Sequence, residues 1–191
     1  MENLYIVCKV LKELDIKVDV YGGRYGLSSK DTTPSMIKGV YDFINSTNAH
    51  SNFTVGIDDD VTNLSIKYDK FSLPSKKGDA SILVYGYGSD GMVGASKDLL
   101  HITGENTNAY VQGYFQYDSK KSGGYTISHL RFSNNNIRSS YYVDEANLVV
   151  CTKDSYLNKL NMLDKIKDNG IFVINSRMDS DKILRMMSSH D

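Results

Sequence analysis

The stretch that decides the fold is residues 81–102, which read SILVYGYGSDGMVGASKDLLHI. The first five of these residues are mostly apolar and carry no charge, which is typical of a strand buried inside a sheet. Glycines then recur at Gly86, Gly88 and Gly91, and this spacing indicates a tight turn. Apolar residues between 93 and 102 predict a helix directly after the turn. Strand, turn and helix in this order are typical of α/β proteins.

The chain beyond this unit continues the same alternation. We predict strands over residues 109–115, 125–132, 146–151 and 171–174, a helix over 155–166 and a final helix over 179–188. Strands that alternate with helices favour α/β architecture, with right-handed connections wherever neighbouring strands are parallel.

The chain before this unit predicts a shorter set of elements. Apolar spacing predicts a helix over residues 4–14, and period-two alternation predicts strands over 17–21 and 53–57. A second helix is expected to begin at Thr33-Pro34, because Thr can cap a helix and Pro suits its first position. The chain then turns polar towards Asp79, and we place a linker at residues 71–77.

Composition excludes several classes of function. The chain has 191 residues, and 22 Lys and Arg balance 23 Asp and Glu to a net charge of -1. Such a chain has no overall field to attract nucleic acid or anionic lipid, so we expect neither partner. No apolar run reaches the length of a membrane span, and the first residues lack the basic flank of a signal peptide. We therefore expect a cytoplasmic protein.

The residues offer no metal site and no catalytic group. The chain has 2 cysteines, Cys8 and Cys151, so it has neither the CxxC spacing of a zinc site nor the cysteines of an iron–sulfur cluster. We expect both thiols to be buried as small apolar residues. The acidic residues 58–60 lack EF-hand spacing. No Ser/His/Asp or Cys/His arrangement is identifiable from spacing, so we predict no catalytic residue.

The glycine turn is the first candidate binding site. Glycines let the backbone turn closely, and the free N–H groups and dipole of the following helix attract phosphate. The turn contains GxGxxG, but the acidic residue of a dinucleotide site arrives late, and Lys97 does not complete a Walker A loop. A tight turn without any ligand remains the alternative interpretation.

Two further clusters could bind an anion. Residues 118–124 place Lys120, Lys121 and Ser122 in one glycine-bearing loop, which suits several phosphates. Taken without further context, a solvated hairpin turn between two strands is the leading interpretation. His129 and Arg131 lie two residues apart on one predicted strand and so share a face. They could bind an anion or form a paired structural interface.

Several segments, taken in order, resemble the middle of the pyruvate:ferredoxin (flavodoxin) oxidoreductases. These segments are residues 22–27, 53–57, 59–62, 88–91, 112–115, 118–124, 128–132 and 137–139. The resemblance runs from about residue 16 to residue 176 and covers most of the chain. Several blocks in one order are more specific than any single loop.

The resemblance implies a fold and a function. Residues 1–70 resemble the end of a transketolase C-terminal-like α/β domain, and residues 78–191 the first part of a Rossmann-like gamma-type α/β domain that handles coenzyme A. The family converts pyruvate to acetyl-CoA and carbon dioxide and reduces ferredoxin or flavodoxin, with thiamine diphosphate, magnesium and [4Fe–4S] clusters. The residues that the resemblance assigns to coenzyme A are Gly88, Ser89, Asp90, Gly91, Met92, Val93, Lys120, Lys121 and Ser122.

Departures from the family pattern shape what we expect of this chain. Met92 stands where the family usually has Thr, Ser28 replaces a common Gly, and Asn136 replaces a common Pro. The motifs for thiamine, magnesium and clusters are absent. We therefore expect a truncated segment that is inactive alone and works with the remaining domains or subunits of a homodimeric enzyme. A non-enzymatic remnant, a stand-alone nucleotide-binding or coenzyme-A-binding module, and an unrelated NAD-dependent dehydrogenase remain the alternatives.

Overall fold

A computed structural model describes residues 2–26, 28, 30–58, 61–118 and 124–187. The chain divides into two compact units, Met1–Leu73 and Pro74–Asp191. The division lies inside the stretch 71–77 that the sequence marks as a linker. The assignment of the two units to a transketolase-like and a gamma-type domain stays a prediction.

In its described residues, the first unit contains two helices and one short pair of strands. Its elements are α1 (Glu2–Glu13), β1 (Gly23–Arg24), α2 (Pro34–Ile44) and β2 (Phe53–Thr54). The two strands pair in parallel, and Phe53 and Val55 are buried beside them. Helix α2 begins as predicted, because the Thr33 hydroxyl accepts a hydrogen bond from the Met36 N–H at 3.4 Å and Pro34 takes the first helical position.

The predicted strand over residues 17–21 is wrong. These residues form no strand, and Val18 leaves 58% of its surface exposed. Alternation of apolar residues does not make a strand unless a neighbour supplies backbone hydrogen bonds. That pairing instead occurs at Gly23–Arg24, and the predicted strand over 53–57 is correspondingly short.

The second unit is built on a five-stranded mixed sheet. Its elements are β3 (Ala80–Tyr87), α3 (Met92–Asn106), β4 (Tyr110–Tyr117), β5 (Tyr125–Ser133), β6 (Ala146–Cys151), β7 (Ile166–Ile174) and α4 (Ser180–Met187). The strand order is β4-β5-β3-β6-β7. Strands β3, β6 and β7 are parallel, whereas β5 runs antiparallel to both of its neighbours. This confirms the predicted α/β architecture.

The two faces of this sheet are covered differently. On one face, Leu83, Tyr85 and Val149 form the core, and α4 packs against it. On the other face, α3 packs against β3, β4 and β5. Farther along the sheet, Ile171 and Val173 of β7 remain 62% and 47% exposed.

The predicted helix over residues 155–166 is also wrong. The segment forms two 3₁₀ turns, Asp154–Tyr156 and Leu163–Lys165. Its apolar residues are spaced as in a helix, but Asn161 donates a side-chain hydrogen bond to Asp164 at 2.5 Å. Asn and Asp side chains compete with helical backbone bonds in this way.

The two cysteines differ in exposure. Cys151 is fully buried in the core, which confirms that half of the prediction. Cys8 lies exposed on α1, so the expectation of two buried thiols is wrong. An amphipathic pattern identifies the inward face of a helix only where another element packs against it.

Candidate functional site

The carboxyl ends of the parallel strands meet at one edge of the sheet. Tyr85 of β3 pairs with Cys151 of β6, which in turn pairs with Ile174 of β7. The antiparallel partner β5 begins at this same edge, because Tyr125 pairs with Tyr87. Ligands of open α/β sheets bind outside the carboxyl ends of the strands. This edge of the sheet is therefore the candidate site.

The glycine turn after β3 is shaped by Asp90. The Asp90 N–H donates to the Tyr87 carbonyl at 3.0 Å, and the Asp90 carboxylate accepts from the Tyr87 N–H at 2.7 Å and the Met92 N–H at 2.9 Å. Ser89 and Gly91 both have positive φ angles, 72° and 83°. A glycine suits such a left-handed conformation, whereas Ser89 adopts it at some cost in strain. The predicted turn is confirmed, and Asp90 organises it from within.

The edge also includes the residue that follows β6. The Thr152 hydroxyl donates to the Asp90 carboxylate at 2.8 Å, and the Thr152 N–H donates to the Tyr85 carbonyl at 3.0 Å. These bonds join the end of one strand to the turn after its neighbour. The glycine turn is therefore braced by two strands.

The first turn of α3 offers backbone donors. The Met92 N–H is taken by the Asp90 carboxylate, and the Ala95 N–H by the Gly91 carbonyl. Val93 and Gly94 lie between them, and the first N–H groups of a helix have no partner inside the helix. A Cβ added at Gly94 would meet nothing within 4 Å, so the backbone there is open to approach. The helix dipole favours an anion at this position.

The predicted lysine loop joins β4 to β5. Lys120, Lys121 and Ser122 lie outside the described residues. The residues that flank the loop are described. Asp118 donates its N–H to the Tyr125 carbonyl at 3.0 Å, and Gly124 accepts the Gly88 N–H at 3.1 Å. One flank of the loop is therefore bonded directly to the glycine turn.

Sequence reasoning missed the residues that β6 brings to this edge. Lys153 places its ammonium 4.1 Å from the centre of the Tyr87 ring. Tyr156 is buried, and its hydroxyl has no hydrogen-bond partner among the described residues. Both residues lie more than 60 positions from the glycine turn, so no local spacing links them to it. Both residues closely follow a buried strand in the sequence, and this position was the one signal that could have marked them as candidate site residues.

His129 and Arg131 serve the fold. Arg131 donates to the carbonyls of Tyr141 and Tyr142 at 2.7 and 3.0 Å, and its guanidinium lies over the Tyr141 ring. His129 accepts the Val143 N–H at 3.1 Å. Burial lowers the pKa of Arg131. Because the ordinary pKa of arginine lies far above neutral, the guanidinium stays charged at pH 7. The structural interpretation of this pair holds, because both side chains anchor the segment before β6.

The described residues contain a cavity that is not part of the edge described above, and they form neither a metal site nor a membrane-spanning helix. A cavity of about 390 Å³ lies in the first unit, between α2 and residues 63–69, whereas every predicted site residue belongs to the second unit. Among the described residues, His, Cys, Asp and Glu form no group of three suited to a metal ion. Within that same part of the chain, no helix has the length and apolarity of a bilayer span.

One protein family matches most of the second unit. The model for "Pyruvate ferredoxin/flavodoxin oxidoreductase" matches residues 81–188, which is more than half of the chain. The chain belongs to the pyruvate ferredoxin/flavodoxin oxidoreductase family. The matched residues of this oxidoreductase family contain the glycine turn, α3, the lysine loop and the end of β6.

Relatives of this oxidoreductase family extend the match into the first unit. The chain is 47% identical to a pyruvate:ferredoxin oxidoreductase of Moorella thermoacetica over 174 residues, 91% of this chain and 15% of that protein. It is 48% identical to a putative pyruvate-flavodoxin oxidoreductase of Synechocystis over 166 residues, 87% of this chain and 14% of that protein. The chain thus spans about 15% of the length of these relatives.

A solved structure is also similar to part of this chain. It is the pyruvate oxidoreductase subunit PORC of Thermotoga maritima, with a TM-score of 0.49 and 18% identity. The match covers 58% of this chain and 57% of that subunit.

Proposed function

We propose that this chain is the coenzyme-A-binding segment of a pyruvate:ferredoxin or pyruvate:flavodoxin oxidoreductase. The observation that carries the proposal is the hydrogen bond from the Gly88 N–H to the Gly124 carbonyl, 3.1 Å long. It joins the turn before the N-terminus of α3 to one flank of the loop that carries Lys120 and Lys121. This bond supports the proposal that both elements would bind phosphates at one edge of one sheet.

Coenzyme A suits this edge because it carries a pyrophosphate and a separate 3′-phosphate. The N–H groups of Val93 and Gly94 at the start of α3 would bind one phosphate, with the helix dipole in support. A second phosphate would be bound by Lys120, Lys121 and Ser122. The ammonium of Lys153, which lies over the Tyr87 ring, adds a positive charge beside the turn. The positive charges would also offset the Asp90 carboxylate, whose negative charge would otherwise disfavour phosphate.

The redox chemistry would belong to other parts of the enzyme. Loss of carbon dioxide from pyruvate needs an electron sink, which thiamine diphosphate supplies when bound. The 2 cysteines of this chain are too few to hold a [4Fe–4S] cluster, and they lie in different units. We propose that the remaining domains or subunits of a homodimeric cytoplasmic enzyme hold thiamine diphosphate, magnesium and the clusters, and transfer electrons to ferredoxin or flavodoxin.

The binding role is tested by calorimetry with coenzyme A. Replacement of Lys120 and Lys121 by Ala should weaken binding, because each charge-assisted contact contributes about 1.5–3 kcal/mol. The matched control is K76A/K77A, which removes the same charge from an exposed lysine pair before β3. Equal affinities of the two double variants would contradict the proposal.

The dependence on other parts of the enzyme is tested by activity and by co-purification. The isolated chain, given pyruvate, thiamine diphosphate, coenzyme A and a dye acceptor, should show no turnover. With its partners present, it should co-purify with a brown, cluster-containing polypeptide. Failure to co-purify with any such polypeptide would instead favour a stand-alone binding module.

A further inference from the structure

The last parallel strand of the sheet has an apolar sequence on both of its faces, but only one face is covered. Residues 171–174 of β7 are four consecutive apolar residues, and such a run is typical of a parallel strand buried on both sides. Phe172 and Ile174 pack on the core. Ile171 and Val173 alternate with them and so point to the other face, where they remain 62% and 47% exposed. The sequence of β7 therefore suits a cover that the described residues do not supply at Ile171 and Val173.

The exposed residues of β7 continue two rows of aliphatic side chains that cross the parallel strands β3, β6 and β7. Partners in the strand register share a face of the sheet, and none of the six side chains carries a polar group. Exposure rises along the second row, from 6% at Val84 to 47% at Val173. The surface at the β7 end therefore suits an apolar partner. The rows are Ile82–Leu148–Ile171 and Val84–Val150–Val173.

Helix α3 explains where the cover of this face ends. It contacts β4, β5 and β3, which are three adjacent strands with β5 in the middle. The 3₁₀ turns and α4 contribute residues to the core on the opposite face. The cover that α3 provides therefore ends near β3, and β6 and β7 lie beyond it.

The spacing of helices and strands indicates what fits beside α3. Packed helices lie about 8–10 Å apart, and neighbouring strands lie about 4.8 Å apart. A helix packed beside α3 would thus be displaced by about two strands, from β5 to β6, with β3 and β7 on its flanks.

Leu99 of α3 borders this position. The Lys97 ammonium lies over the Phe115 ring of β4, 5.4 Å from its centre. Leu99 follows about 200° further around the helix axis, on the flank away from β4. Its side chain is 44% exposed, so an apolar partner beside α3 would cover Leu99 as well.

We infer that an amphipathic helix from the remaining domains or subunits of the oxidoreductase packs over β6, beside α3, with its apolar side against Ile171, Val173 and Leu99. The inference rests on the proposed function. A helix suits this face because parallel sheets are covered by helices on both sides. The source of the helix is argued from length: the chain spans about 15% of its relatives, so most of such an enzyme lies outside it.

The test measures how accessible position 171 is in the complex of the full chain with its cluster-containing partner polypeptide. Ile171→Cys, in a Cys8→Ser background, should react rapidly with a maleimide in the free chain and should lose that rapid reaction in the complex. Leu184→Cys in the same background is the matched control. Leu184 is 60% exposed on α4, which packs on the opposite face, so this cysteine should react rapidly in both states.

A second measurement compares the strength of the complex. Ile171→Glu should weaken it about tenfold or more, because the charge would be buried in an apolar interface. Leu184→Glu should change the affinity little. Both variants should keep the melting temperature of the free chain, because both positions are exposed in it.

Three results would overturn the inference while the proposed function stands. One is rapid labelling of Ile171→Cys within the complex. Another is slow labelling of the same variant in the free chain, because the chain itself or a second copy would then cover the face. The third is an equal effect of Ile171→Glu and Leu184→Glu on the affinity. Absence of any complex with a cluster-containing polypeptide would instead overturn the proposed function and the inference together.

Discussion

The Thr152 hydroxyl donates a hydrogen bond to the Asp90 carboxylate at 2.8 Å, and this bond connects the end of β6 to the glycine turn after β3. The same carboxylate accepts the N–H groups of Tyr87 and Met92. One side chain thus fixes the strand, the turn and the start of the helix.

Replacement of Asp90 by Ala should lower the free energy of unfolding by about 1–3 kcal/mol, because hydrogen bonds to a charged group are lost. Urea unfolding followed by circular dichroism measures this. Asp98→Ala, on the exposed part of α3, is the control and should change stability little. Equal unfolding midpoints for the two variants would show that Asp90 does not hold the turn.

Two glycines near the turn should respond to Ala in opposite directions. A Cβ at Gly86 would lie 2.9 Å from the Thr126 hydroxyl and 3.1 Å from the Met92 Cβ, so Gly86→Ala should destabilise the chain by about 1–3 kcal/mol. A Cβ at Gly94 meets nothing within 4 Å, and Gly94→Ala should stabilise α3 by about 0.5–1 kcal/mol. Thermal unfolding of both variants checks the pair. Changes of the same sign would contradict the packing described for Gly86 and Gly94.

Asp79 should make stability depend on pH on the acid side. Its carboxylate accepts hydrogen bonds from the Ser133 hydroxyl at 2.6 Å and the Lys76 N–H at 2.8 Å, and these bonds hold its pKa below the ordinary 3.8. A carboxyl whose pKa is lowered by folding stabilises the protein above its unfolded pKa, and this contribution is lost as the pH falls through the folded value.

Asp79→Asn should therefore be less stable than the unsubstituted chain at pH 7, and the difference should shrink below about pH 4. Urea unfolding at both pH values measures it, with Asp98→Asn as the control. A difference that stays constant between the two pH values would mean that Asp79 keeps its ordinary pKa in the folded chain.

The two thiols should react at very different rates. Cys8 is exposed, whereas Cys151 is buried and its burial raises the pKa of the thiol, which lowers the amount of reactive thiolate. Ellman's reagent should label one thiol rapidly in the native chain and both in guanidinium chloride. Cys8→Ser should remove the rapid phase. Rapid labelling of that variant would contradict the burial of Cys151.

Much of the second unit follows from local sequence. The apolar run of β3, the glycines after it and the apolar spacing of α3 all act over a few residues, and the structure agrees with them. Thr33 and Pro34 likewise begin α2 by local capping. Local patterns are sufficient where the element itself contains its start signal and its buried face.

The errors arise where distant contacts decide the structure. In residues 17–21, apolar and polar side chains alternate as in a strand, but the segment pairs with no strand in the described chain. The segment before β7 has the apolar spacing of a helix. Its 3₁₀ turns are instead stabilised by the side-chain hydrogen bond of Asn161 and by packing of Tyr156 and Leu157 on the core. The same limit applies to the site. Thr152 bonds to the glycine turn only because β6 lies beside β3. The order of strands in a sheet cannot be predicted from local spacing.

The bond between Gly88 and Gly124 connects two main-chain atoms, N–H to carbonyl. Side-chain replacement elsewhere in the two loops does not remove either atom, so the loops stay adjacent while their side chains diverge. Substitutions within residues 119–123 would therefore leave this backbone bond and the pairing of β3 with β5 in place.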